Sequence, residues 1–129
     1  MNDANLYEYA VIRYVPRVER GEFVNVGLIM MCKRRRWLRV RVQVDESKIG
    51  VFNPPHTPAQ IREALSLFRM FDADMPDAGG HPALSWPVEE RFRWLTAVKS
   101  ACLSTSRPHP GYAEDLDSEF DRLYAELVV

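Results

Sequence analysis

"RGEFVNVGLIM", residues 20–30, reads as a strand interrupted by two residues that strands avoid. Phe23, Val24, Val26, Leu28, Ile29 and Met30 suit a half-buried pleated surface, whereas Asn25 brings in an amide and Gly27 no side chain at all. Positions two apart share a parity. On a regular strand over 22–32, Asn25 and Gly27 therefore face one way with Phe23, Ile29 and Met31, if Val24, Val26, Leu28 and Met30 face the core.

The flanking sequence places this strand in a sheet. "LYEYAVIRYV" (6–15) is rich in β-branched and aromatic residues, and "PRVERG" (16–21) supplies Pro and Gly for a turn into the strand at 22–32. A second turn at "KRRR" leads to residues 37–44, which alternate strictly: Leu38, Val40, Val42 and Val44 on one side, Trp37, Arg39, Arg41 and Gln43 on the other. Connections this short require antiparallel neighbours, so 6–44 reads as a three-stranded meander.

Helix signals begin after the loop "DESKIGVFNPPH". Thr57, Pro58 and Gln60 form a capping box with proline where its missing N–H costs nothing, and Ile61, Ala64, Leu65, Phe68 and Phe71 keep helical spacing over 58–72. "DADMPDAGGHPALSWP" (72–87) reads as loop. Pro87 opens a second helix carrying Val88, Phe92 and Leu95. "KSACLST" (99–105) suits an extended segment and a possible fourth strand, which "RPHPGY" then breaks. Asp115 caps a final helix with Leu116, Phe120, Leu123, Tyr124 and Leu127 on one stripe. The pattern is α+β: an antiparallel meander with about three helices packed mainly on one face, in a single domain over 1–129.

Composition narrows the function classes. The chain has 129 residues, 47% of them hydrophobic, enough for one core. No apolar run spans a bilayer and the N-terminus lacks a signal-peptide pattern, so a soluble cytoplasmic protein is expected, with no membrane partner. Cys32 and Cys102 read as buried, inert thiols. His56, His81 and His109 sit singly beside prolines and read as loop histidines, without the spacing of a zinc site. No cofactor is expected. The net charge of −1 conceals an asymmetry, since residues 1–44 hold nine Arg/Lys against four Asp/Glu and residues 45–129 hold eight against fourteen. The two halves can therefore attract one another, which competes with reading "KRRRWLRVR" (33–41) as a nucleic-acid patch.

"YEYAVIRYVPRVERGEFVNVGLIM", with "EERFRWLTA" (89–97) and "DRLYAEL" (121–127) downstream in the same order, resembles a bacterial family catalogued as domain of unknown function 3037. The likeness departs after "RFRWLTA", where the family continues with a proline and an isoleucine-rich stretch and this chain has "VKSACLSTS". The resemblance implies a small cytoplasmic bacterial protein with no established activity. Its genes often stand beside serine/threonine kinases of the persistence-toxin type, which implies a kinase-like partner.

If the helices cover one sheet face, the other carries Arg13, Tyr7, Tyr9, Trp37, Arg39, Arg41, Asn25 and Gly27, an aromatic and cationic surface. Gly27 then has two readings: a packing device covered by Tyr9 or Val11, or a hollow that admits a ligand or a partner's backbone beside Asn25 and Arg13. Arg20 and Glu22 read as a solvated pair flanking a positive-φ Gly21, or as part of a binding site. A partial likeness to the RNA-recognition pattern at 20–26 fails, since Val26 stands where an aromatic is needed and no helix separates the first two strands. The candidate binding residues are thus Arg13, Arg20, Glu22, Asn25, Gly27, Trp37, Arg39 and Arg41. They suit a non-catalytic adaptor whose sheet face or exposed strand edge receives a protein partner, with Trp37 and the arginines as anchors. The alternative is a phosphate-containing ligand or nucleic acid held by guanidinium forks. Catalysis is the weakest reading, for no nucleophile–base pair, phosphate loop or metal cluster shows in the spacing. The oligomeric state is not legible.

Overall fold

A computed structural model describes residues 4–72, 85–97 and 102–129. The meander is present, as β1 (Asn5–Tyr14), β2 (Val24–Cys32) and β3 (Trp37–Val42) paired antiparallel in chain order. A short helix α1 (Glu46–Gly50) follows, capped by the Asp45 carboxylate, which accepts from the backbone of Ser47 and Lys48. Next come α2 (Pro58–Arg69) and α3 (Val88–Ala97), then β4 (Leu103–Thr105), β5 (His109–Ala113) and α4 (Leu116–Leu127). Thr57 and Gln60 exchange both bonds of the capping box, and Asp115 caps α4 through Ser118.

The sheet has five strands, two more than the meander alone. The far side of β1 pairs with β4 at Ile12–Tyr14 and with β5 at Asn5–Tyr9, so β3 and the β4/β5 pair form the two edges. The expected fourth strand is present at 103–105; residues 98–101 lie outside the described residues, as does most of the 72–87 loop and His81. "RPHPGY", expected as a break, instead contributes β5. Pro110 is tolerated there because an edge strand has a side on which no N–H is required. His109 is therefore a strand residue, its ring 5.3 Å from that of Tyr9, and His56 accepts or donates at 2.8 Å to the hydroxyl of fully buried Tyr14.

Helices cover both faces. Ile61, Leu65 and Phe68 of α2 and Val88, Phe92 and Leu95 of α3 pack on Ala10, Ile12, Tyr14, Ile29, Met31, Leu38 and Val40. On the other side, Leu116, Phe120, Leu123 and Tyr124 of α4 pack on Tyr7, Leu28, Met30 and Cys32. The face expected to be open is thus closed by the final helix, because its five-residue apolar stripe needs a partner surface and the first face is already occupied. Cys32 and Cys102 are both buried, and neither is in a disulfide. Among the described residues no helix is long and apolar enough to cross a membrane.

Candidate functional site

The pairing of β2 with β1 shifts by one residue between Ile12 and Arg13: Ile12 faces Gly27, but Arg13 faces Asn25. Val26 is the extra residue of a β-bulge, and the bulge reverses the parity on either side of it. Val24 and Val26 therefore join Ile29 and Met31 in the α2/α3 core, while Leu28 and Met30 point to α4. Asn25 and Gly27 do not share a face, contrary to the regular-strand expectation.

Gly27 serves packing. A Cβ there would lie 2.9 Å from the Arg41 carbonyl oxygen, 2.9 Å from Ile12 Cδ1 and 3.0 Å from Val42 Cγ1. Neither Tyr9 nor Val11 covers it; the cover is Ile12, directly opposite. The aromatic cover expected at Gly27 occurs elsewhere, where the Tyr7 ring lies over Gly111 on β5. Asn25 turns to α4 and donates Nδ2–H to the Leu127 carbonyl at 2.9 Å, while Lys48 donates to the Val128 carbonyl at 2.9 Å. Together they satisfy carbonyls that the helix C-terminus leaves without intrahelical donors. Among the described residues, Asn25 Oδ1 and Arg13 Nε are buried without hydrogen-bond partners, and the Arg13 guanidinium sits 4.2 Å over the Phe23 ring.

Trp37, Arg39 and Arg41 lie under α4, on the same face of the sheet as Asn25. The Trp37 ring meets Phe120 edge-on at 6.2 Å, and both guanidiniums stand 5.0 Å from the Phe120 ring, Arg41 also from that of Tyr124. Their charged ends continue outward to Asp117 and Asp121, each 3.0 Å away. This is the attraction between the basic and acidic parts of the chain, realised across one interface. Burial raises the Tyr124 hydroxyl pKa, with the Arg41 charge opposing. Arg20 and Glu22 are remote from this cluster; they pair with one another across Gly21, whose φ of 70° is the positive value the turn requires. With Arg17, Val51, Phe52 and Asn53 they line a cleft of about 390 Å³.

A different region is left receptive. Gln43 donates to the Val26 carbonyl at 2.7 Å, which fixes Trp37, Arg39 and Arg41 as the β3 residues bonded inward to β2. Leu38, Val40 and Val42 then turn their N–H and C=O groups outward, and among the described residues no other strand pairs with that edge. Beside it, between β3 and α2, runs a cleft of about 340 Å³ floored by Val42, Val44 and Leu65 and flanked by Arg62 and Arg69. Both arginines are exposed, and among the described residues neither has an ion-pair partner. Sequence reading missed them. Their spacing of seven places them on one helix face, but only the docking of α2 beside β3 puts that face at the sheet edge.

The model of a family described as a protein of unknown function (DUF3037) matches residues 9–128. The chain belongs to this family. The match takes in all of the elements from the middle of β1 to the end of α4, and with them both the α4 interface and the β3 edge. No curated protein and no solved structure matches the chain.

Proposed function

We propose that the protein is a cytoplasmic, non-catalytic adaptor or regulatory binding module of a bacterial protein complex, and that its partner adds a strand to the outer edge of β3. The observation that carries this reading is the row of outward backbone groups at Leu38, Val40 and Val42, on a strand not paired on that side among the described residues. Such an edge is a template for an incoming strand, whose main chain provides affinity and whose alternate side chains provide specificity. Trp37, Arg39 and Arg41, engaged by α4, act in this reading as supports of β3 and not as anchors for the partner.

The persistence-toxin-type kinase suggested by the family resemblance is the first partner to test. Val42→Pro removes one outward N–H while leaving the bonds from β2 to Arg41 and Gln43 in place. Co-purification of the kinase by wild type and its loss by this folded variant is the expected result. Equal recovery by both would overturn the edge as the binding surface.

A second reading has its own support. Arg62 and Arg69 flank the cleft, and among the described residues neither guanidinium has an ion-pair partner, so a phosphate-containing ligand or nucleic acid would bind there and not on the sheet face. Sub-micromolar DNA binding with a log–log salt slope steeper than about −4, equivalent to four or more neutralised phosphates, would favour it.

A further inference from the structure

The β3 edge has a chemical preference that follows from what surrounds it. Val42, Val44 and Leu65 offer apolar contact along the cleft, and Arg62 and Arg69 stand at its margin with Asp72 the one carboxylate lining it among the described residues. Arg41 also lines the cleft, but Asp121 already engages its guanidinium. Among the described residues, two positive charges without an ion-pair partner thus face one carboxylate. A second copy of this chain is a poor occupant, because pairing β3 with β3 about a two-fold axis would bring the Arg62 and Arg69 side of one α2 toward the same residues of the other. An acidic segment meets no such opposition.

Resting on the edge-binding reading above, we propose that the strand added to β3 is an extended peptide segment of another protein with alternating acidic and apolar residues, its carboxylates directed to Arg62 and Arg69. The spacing is compatible. Seven residues of α2 separate the two arginine Cα atoms by about 10 Å along the helix. Side chains on one face of a strand recur about every 7 Å. Flexible guanidinium arms bridge the difference, so carboxylates two or four residues apart reach both. The methylene stems of the acidic side chains cross Val42 and Val44 on the way to the arginines, the apolar residues of the segment turn to the α4 side of the sheet, and its main chain bonds Leu38, Val40 and Val42.

The test uses the intact protein and three short synthetic peptides of alternating valine with glutamate, with lysine, or with glutamate and one central proline. Binding is followed by titration and by the backbone amide signals of β3. The expected result is binding of the glutamate peptide with shifts at Leu38, Val40 and Val42, and at least about tenfold weaker binding by Arg62→Glu/Arg69→Glu, one decade being the scale of a lost charge-assisted pair. The lysine and proline peptides should bind at least as poorly. These two substitutions are on exposed helix positions and keep the fold testable. If the glutamate and lysine peptides bind alike with shifts on β3, the acidic preference is wrong and the edge reading stands. Shifts confined to surfaces away from β3, or no binding of any peptide, overturn the proposal; a single-stranded oligonucleotide that binds through Arg62 and Arg69 while the peptides do not would replace it with nucleic acid.

Discussion

Asn25 and Gly27 are two residues apart on β2 and face opposite sides of the sheet, because Val26 is the extra residue of a bulge. A methyl group added at Gly27 would meet the Arg41 carbonyl oxygen and the Ile12 side chain at 2.9 Å, and the backbone carbonyl cannot yield cheaply. Gly27→Ala should destabilise the protein by about 1–3 kcal/mol, outweighing the ~0.4–1 kcal/mol that alanine gains through the unfolded chain. A lower urea midpoint with unchanged slope is the expected observation; an unchanged or higher midpoint would show that the contact relaxes.

Asn25 holds the opposite assignment, as a donor to the C-terminus of α4. Asn25→Asp replaces the donor with a carboxylate facing a carbonyl at the negative end of the helix, and should cost about 1–3 kcal/mol near neutral pH. In acid the carboxyl regains a proton and can donate, so part of that loss should be recovered. A thermal melt of the variant across pH checks the sign, and stability equal to wild type at neutral pH would refute the capping role.

The Arg41–Asp121 pair orients α4 and does not by itself hold it. Both side chains are partly exposed, so a double-mutant cycle should give a coupling of only about 0.2–1 kcal/mol. Phe120 is fully buried against the sheet, and Phe120→Ala should cost about 3–5 kcal/mol. A coupling larger than the Phe120 loss would invert this ranking.

Much of the architecture was legible because its signals are local. The alternation from Trp37 to Val44 specified β3 and its two faces, and Thr57-Pro58-Ala59-Gln60 specified the start of α2. The bulge was not legible: a one-residue slip at Val26 is defined by the partner strand, and nothing in "VNVG" fixes it in isolation. The stripe from Leu116 to Leu127 identified a helix with one apolar face, but that stripe fits either side of a sheet equally well. Hence the alternation alone leaves Trp37, Arg39 and Arg41 on an outer face, and only the docking of α4 covers them. Pro110 and Gly111 read as a break because proline's missing N–H matters only on the paired side of a strand. Arg62 and Arg69 gained meaning from tertiary position alone.

Glu119 gives the fold an acid sensitivity. Hydrogen bonds from Arg122 and then from the Tyr7 hydroxyl hold its carboxyl pKa below the usual range. A carboxylate whose folded pKa is depressed contributes fully above its unfolded value, about 4.3, and loses that contribution as pH falls through the folded value. The stability difference between wild type and Glu119→Gln should therefore be largest near neutral pH and shrink below about pH 4. A difference that is constant with pH would mean that Glu119 acts only as an uncharged hydrogen-bond acceptor.

Amide hydrogen exchange, measured on the purified protein and again on its co-purified complex, tests the edge-binding account most directly. In the free protein the outward amides of Leu38, Val40 and Val42 should exchange faster than the inward amides of Arg39 and Arg41. In the complex the outward set should slow by about tenfold or more, as expected when a strand supplies their acceptors. Protection on α4 or at the Arg20–Glu22 turn, with the β3 edge exchanging as in the free protein, would contradict the account.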